Sequence, residues 1–132
     1  MRRQWVSRMM VVAAVCMAAP VWSQDPAQIA QLTPSVRAAL QTEVMVRKLS
    51  LSPEQRTQVE AINLKYANQM QPLLEGSKWT LMRQAKTVDE AKDGELRAVL
   101  NPQQFDGYLA AKDEIRDKMK QKALANAAAN PS

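Results

Sequence analysis

Apolar residues along this chain come in two arrangements. From Met9 to Ala19 they form one unbroken run, framed by Arg2, Arg3 and Arg8 on one side and Pro20 on the other. Beyond residue 33 they are spaced three and four apart, the period of an amphipathic helix, and no stretch alternates in the manner of a strand. The spacing predicts a helix from Pro34 to about Lys48, with Val36, Leu40 and Val44 on one face. A second begins at Pro53 and carries Val59, Ile62, Tyr66, Met70 and Leu73, with Pro72 and Gly76 bending or ending it. A third stretch covers Lys78 to about Val99 through Trp79, Met82, Ala85, Val88 and Leu96. It reads as one helix or as two pieces, because Thr87 with Glu90 forms a capping-box pattern inside it and Gly94 weakens it. The fourth runs from Pro102 to about Ala123, with Phe105, Tyr108, Leu109, Ile115 and Met119 inward.

The starts of these helices are marked by one repeated device. Leu32-Thr33-Pro34, Leu51-Ser52-Pro53 and Leu100-Asn101-Pro102 each offer a capping side chain followed by proline at the first helical position, where a missing N–H does no harm. Gln55 and Gln104 stand three residues after their caps and complete capping boxes; Val36 occupies that place in the first copy. Leu100 and Phe105 take the positions of a hydrophobic staple. The fold class that follows is all-α: a small helical hairpin or bundle of three to four helices. Its inner faces are thin, which favours association, and an antiparallel homodimer is expected.

The unbroken run reads differently. Basic residues, a short apolar core and small residues before a cut make a secretory signal peptide, and eleven apolar residues are too few to span a bilayer, which takes roughly 20. Cleavage is expected after Ser23, which marks the protein for export. Val15 stands where a lipoprotein signal would have a small residue before Cys16. The organisation is then a signal peptide at 1–23, a flexible N-terminus at 24–32, a helical domain at 33–123 and a disordered tail at 124–132.

Export changes what composition implies. Removing Arg2, Arg3 and Arg8 lowers the net charge from +5 to +2, so the basic pI owes much to the leader and no basic stripe for nucleic acid remains. The small net charge, with no helix both strongly basic and strongly apolar, argues against membrane-surface association, and no stable membrane insertion is expected after cleavage. The only cysteine leaves with the leader and there is no histidine, so zinc, copper and haem sites lack their ligands and no cofactor is expected. Met45, Met70, Met82 and Met119 are dispersed and read as core. Asp89, Glu90, Asp93 and Glu95 alternate with Lys86, Lys92 and Arg97, the pattern of a solvated face with paired charges. Ser77 and Lys78 are adjacent and do not share a helix face. No catalytic residue and no metal site is assigned; the chain reads as a binding protein and not an enzyme.

The two stronger helix starts, Leu51-Ser52-Pro53-Glu54-Gln55 and Leu100-Asn101-Pro102-Gln103-Gln104, resemble the paired LTxxQ motifs of the Spy/CpxP family of periplasmic stress proteins. The likeness covers about residues 47–122. Ser52 and Asn101 replace the usual threonine, and both are good caps. The segment between the motifs is shorter than in the best-known members. Metal-sensing relatives use histidine or cysteine, so that branch does not apply. The resemblance implies an ATP-independent chaperone or envelope-stress accessory that binds unfolded or misfolded exported proteins. Arg47, Lys48, Arg56, Lys65 and Arg83 beside Leu64, Met70, Leu74 and Trp79 are the residues expected to meet such clients. The competing expectations are a regulatory partner of an envelope-stress sensor kinase and a structural helical module.

Overall fold

The computed structural model describes residues 29–129. The signal-peptide reading, residues 24–28 of the expected flexible segment and residues 130–132 of the expected tail lie outside them. The described residues hold four long helices and no strand: α1 (Pro34–Leu49), α2 (Pro53–Glu75), α3 (Lys78–Val99) and α4 (Pro102–Ala129). The all-α expectation is met.

Each start is capped as its side chains dictate. Thr33 Oγ1 accepts from Val36 N–H at 3.2 Å, and Ser52 Oγ accepts from Gln55 N–H at 3.1 Å while Gln55 Oε1 accepts from Ser52 N–H at 3.0 Å. Asn101 and Gln104 repeat that reciprocal pair at 2.7 and 3.0 Å. Ser77, a cap absent from the sequence reading, holds Thr80 N–H at 3.1 Å. Between α1 and α2 the chain turns through Ser50, the one non-glycine residue with positive φ among the described residues (φ 53°, ψ 55°).

Short connections make successive helices antiparallel. α1 packs along both α2 and α4, and α2 along both α1 and α3, whereas α3 and α4 approach one another only slightly. The main core lies at the end where the α1–α2 and α3–α4 turns meet. It joins Val44, Met45 and Leu49 to Val59, Ile62, Tyr66, Leu96, Leu100, Phe105, Tyr108, Ala111 and Ile115. The staple residues Leu100 and Phe105 are both in it.

Several elements depart from expectation. α1 buries Arg37, Ala38, Gln41, Thr42, Val44, Met45 and Leu49, while Val36 and Leu40 are only half-buried. A helix covered by two neighbours buries a wider arc than its most apolar stripe. α2 continues through Pro72, which lies on its exposed side, and ends at Gly76, whose N–H bonds to Leu73 O at 3.3 Å. α3 is one continuous helix through Thr87 and Gly94; Gly94 is exposed there, and a helix tolerates it at about 1 kcal/mol. Its inner stripe is Leu81, Ala85, Val88 and Leu96, and Trp79 and Met82 point outward, each 68% exposed. Leu109, expected inward, is 44% exposed, and Met70 is half-buried.

The described parts of the two expected end segments, residues 29–32 and 124–129, make defined contacts or helix. Leu32 is buried, its N–H bonds to Ile29 O at 3.0 Å, and its own carbonyl receives the Arg37 guanidinium at 2.6 Å. α4 runs to Ala129 because its alanine-rich end is the best of helix formers, and Ala123 is buried on the way.

Candidate functional site

On the outer side of the α1–α2 pair lies an open groove of about 620 Å³. From α1 it takes Ser35, Ala38, Ala39, Thr42, Glu43, Val46 and Arg47, and from α2 Arg56, Glu60 and Leu64. It exists because α1 presents short side chains where α2 passes. Beneath it, Thr42 Oγ1 donates to Ala38 O at 2.9 Å and receives Asn63 Nδ2 at 2.9 Å, with Met45 Sδ 3.7 Å from the same amide. Asn63 is wholly buried, and its Oδ1 has no partner. Deeper along the same seam, Arg37 is buried and donates to Leu32 O at 2.6 Å and Ala67 O at 2.9 Å. Burial pushes its pKa down, against the pull of Glu75.

The rim carries both signs of charge. Arg56 pairs with Glu60 at 3.1 Å, and Arg47 reaches Glu114 of α4 at 2.7 Å, shared with Lys48 at 3.2 Å. Lys48 and Arg47 hold the Glu114 carboxyl below its ordinary pKa. These pairs are substantially exposed, and such bridges contribute about 0–1 kcal/mol each. The groove floor is therefore mildly apolar, and its rim charges are weakly held.

The two motif glutamines meet across the molecule. Gln55 Nε2 donates to Gln104 Oε1 at 2.7 Å, and Gln104 Nε2 returns to Gln55 Oε1 at 3.0 Å. Each also reaches the last residue of the other half's first helix: Gln55 to Val99 O at 3.2 Å and Gln104 to Leu49 O at 3.3 Å. Each side chain thus closes its own cap, pairs with its counterpart and ends a third helix. This makes the two motifs a single structural lock around a local two-fold relation. The sequence showed both boxes; nothing in their spacing showed that they touch.

The residues expected to meet clients fall into two places. Arg47, Arg56 and Leu64 share the groove, with Lys48 beside it through Glu114. Trp79 and Arg83 stand on the exposed side of α3 near the α2–α3 turn, and Met70 and Leu74 are half-buried on α2. Lys65 is committed to Glu95 at 2.7 Å, and the Tyr66 hydroxyl donates to the same carboxylate. These bonds, from Lys65 first and Tyr66 second, depress the Glu95 pKa. The groove residues missed by the sequence reading are Glu43, Val46, Glu60 and the small side chains of α1. Only their neighbour across the groove gives them a common surface.

The acidic run of α3 is also used differently from the expected solvated face. Of its carboxylates, Glu90 pairs within the helix, to Lys86 at 3.8 Å. Asp93 accepts from the Tyr108 hydroxyl at 2.7 Å and Lys112 at 2.9 Å, and Asp89 from Lys112 at 3.0 Å, so polar groups tie α3 to α4 although the two backbones approach only slightly. The amine of Lys92 lies against Gln41 of α1 and 5.9 Å from the Tyr108 ring centre. Burial brings its pKa down to about 8, although Asp89 and Asp93 favour its charge. Burial and the bond to Asp93 push Tyr108 up. Among the described residues no group of three or more acidic, cysteine or histidine side chains is placed to hold a metal ion.

The family profile of a domain of unknown function, DUF4890, matches residues 23–108. The chain belongs to the DUF4890 family. The matched region contains the groove, both glutamines and α3 whole, and ends at Tyr108 of α4. No curated protein and no solved structure matches the chain.

Proposed function

We propose that this DUF4890 member is an exported, ATP-independent chaperone of the Spy/CpxP kind, which holds unfolded proteins in the periplasm. The observation that carries the reading is the α1–α2 groove, with a small and apolar floor beneath a rim of both charge signs. An unfolded segment offers apolar side chains to Ala38, Ala39, Val46 and Leu64, and charges of either sign to Glu43 and Glu60 or to Arg47 and Arg56. Arg47 and Arg56 already have acidic partners, and exchanging a weak exposed bridge for a client carboxylate changes the free energy little. Binding of this kind is broad, weak and reversible without a nucleotide. The paired Leu-x-x-x-Gln starts support the same reading, since Gln104 bonds both to Leu49 O at the end of α1 and to Gln55 at the start of α2, and so links the helices that form the groove.

Aggregation of a reduced, unfolding substrate followed by light scattering tests it. A few-fold molar excess of the protein should suppress scattering. Ala39→Trp, which fills the groove from an exposed position on α1, should abolish most of that suppression while leaving helicity unchanged. No suppression by the unaltered protein would sink the proposal.

A further inference from the structure

The first half of α3 carries a surface that the groove does not use. Trp79, Met82, Arg83 and Lys86 follow one another at the i, i+3, i+4, i+7 spacing of a single helix face. All are exposed, and the indole and thioether residues are each 68% accessible. Lys78 stands beside them, also exposed. From residue 78 to residue 86 there is no acidic side chain. Lys78 and Arg83 make no ion pair among the described residues, and Lys86 reaches Glu90 only at 3.8 Å with both ends in water. The near-neutral balance of the domain therefore hides a local separation of charge, and this segment is both basic and apolar.

The other side of α3 packs on α2, so this stripe lies on the outside of a helical hairpin and starts in the first turn of α3. Burying a protruding indole against a protein would require a partner with a matching cavity, whereas a bilayer surface yields to it. Tryptophan settles at the headgroup level with its ring in the apolar boundary, and cations around it are drawn to anionic headgroups by about 1 kcal/mol each, a factor of about five. We propose that the Trp79–Lys86 face of α3 docks this protein on an anionic phospholipid surface, with Trp79 and Met82 entering the interface and Lys78, Arg83 and Lys86 meeting phosphates. The groove on α1 and α2 belongs to other helix faces and stays open, so this docking stands or falls independently of the chaperone reading.

The test must report on α3 itself, because the apolar run at Met9–Ala19 has its own affinity for lipid. In the full chain, Trp5→Phe and Trp22→Phe leave Trp79 as the only tryptophan. With vesicles containing phosphatidylglycerol, Trp79 emission should shift to the blue and be quenched by brominated acyl chains. Pure phosphatidylcholine vesicles should give neither change. Lys78→Gln with Arg83→Gln should lower the ratio of inserted to free Trp79 about fivefold for each cation removed, with helicity by circular dichroism unchanged. A water-like Trp79 emission while the chain sediments with vesicles would overturn the proposal. So would equal shifts on both vesicle types, or a shift with polyglutamate in the absence of any with vesicles.

Discussion

Helix α1 and the first half of α3 treat polarity in opposite ways. α1 buries an arginine, a glutamine and a threonine, while α3 leaves a tryptophan and a methionine in water. The difference is in their neighbours. α1 lies between α2 and α4, so a broad arc of it is covered and each polar group in that arc must find a partner. Arg37 does so on two carbonyls, Thr42 on Ala38 O and Asn63, and Gln41 on Lys92. Among the described residues α3 has α2 as its main neighbour, and one narrow stripe suffices. Position in the bundle, more than hydrophobicity, decides which side chains lose water.

The comparison can be broken most forcefully at Arg37. Arg37→Ala should cost about 3 kcal/mol in chemical denaturation, because it leaves the Leu32 carbonyl unpaired in a buried site and opens space beneath α2. Lys92 offers a test by pH. Its folded pKa of about 8 lies below the ordinary 10.5, so unfolding takes up a proton between those values. The cost of burying its charge is present below pH 8 and is relieved as pH rises towards 10.5. Stability should rise by about 2 kcal/mol from pH 7.5 to 9.5, and Lys92→Met should flatten that rise. Above pH 10 the two buried tyrosines, Tyr66 and Tyr108, act in the other direction. Their pKa values are raised in the fold, so the unfolded state alone ionises there.

A smaller effect is expected at the lock. Gln55→Ala should cost about 1–2 kcal/mol, and Gln104→Ala much the same. The double variant should lose less than their sum, since the bond between them is broken only once; strict additivity in a double-mutant cycle would refute the shared lock. Least of all should follow from Trp79→Ser with Met82→Ser: a change in stability within about 0.5 kcal/mol, against several for a comparable pair in the core. A large loss there would show that α3 is covered where the structure leaves it open.

Much of this fold is legible in local chemistry. Thr33, Ser52 and Asn101 with the prolines after them mark where three helices begin, and Gln55 and Gln104 close their boxes as spacing demands. Capping depends on residues within one turn, which is why a linear reading finds it. The stripe that faces inward is a different kind of question. In α3, Trp79 with Met82 and Leu81 with Ala85 lie on two helical faces, and only the path of α2 chooses between them. The groove was legible only in part for the same reason. Arg47, Arg56 and Leu64 could be named as candidates, but the short side chains of α1 acquire meaning from the helix that crosses them.

The sequence by itself determined the all-α class of the described residues, their division at capped prolines, and a composition from which histidine is absent. Those properties follow from contacts within a few residues and from which atoms exist at all. The tertiary structure decided that two capping glutamines bind each other across 49 positions, that α3 joins α4 through carboxylates, and that a tryptophan stays outside. Each of those outcomes is a choice between surfaces of similar local preference. The choice is made by what lies opposite, because desolvation and hydrogen-bond partners are properties of the assembled bundle.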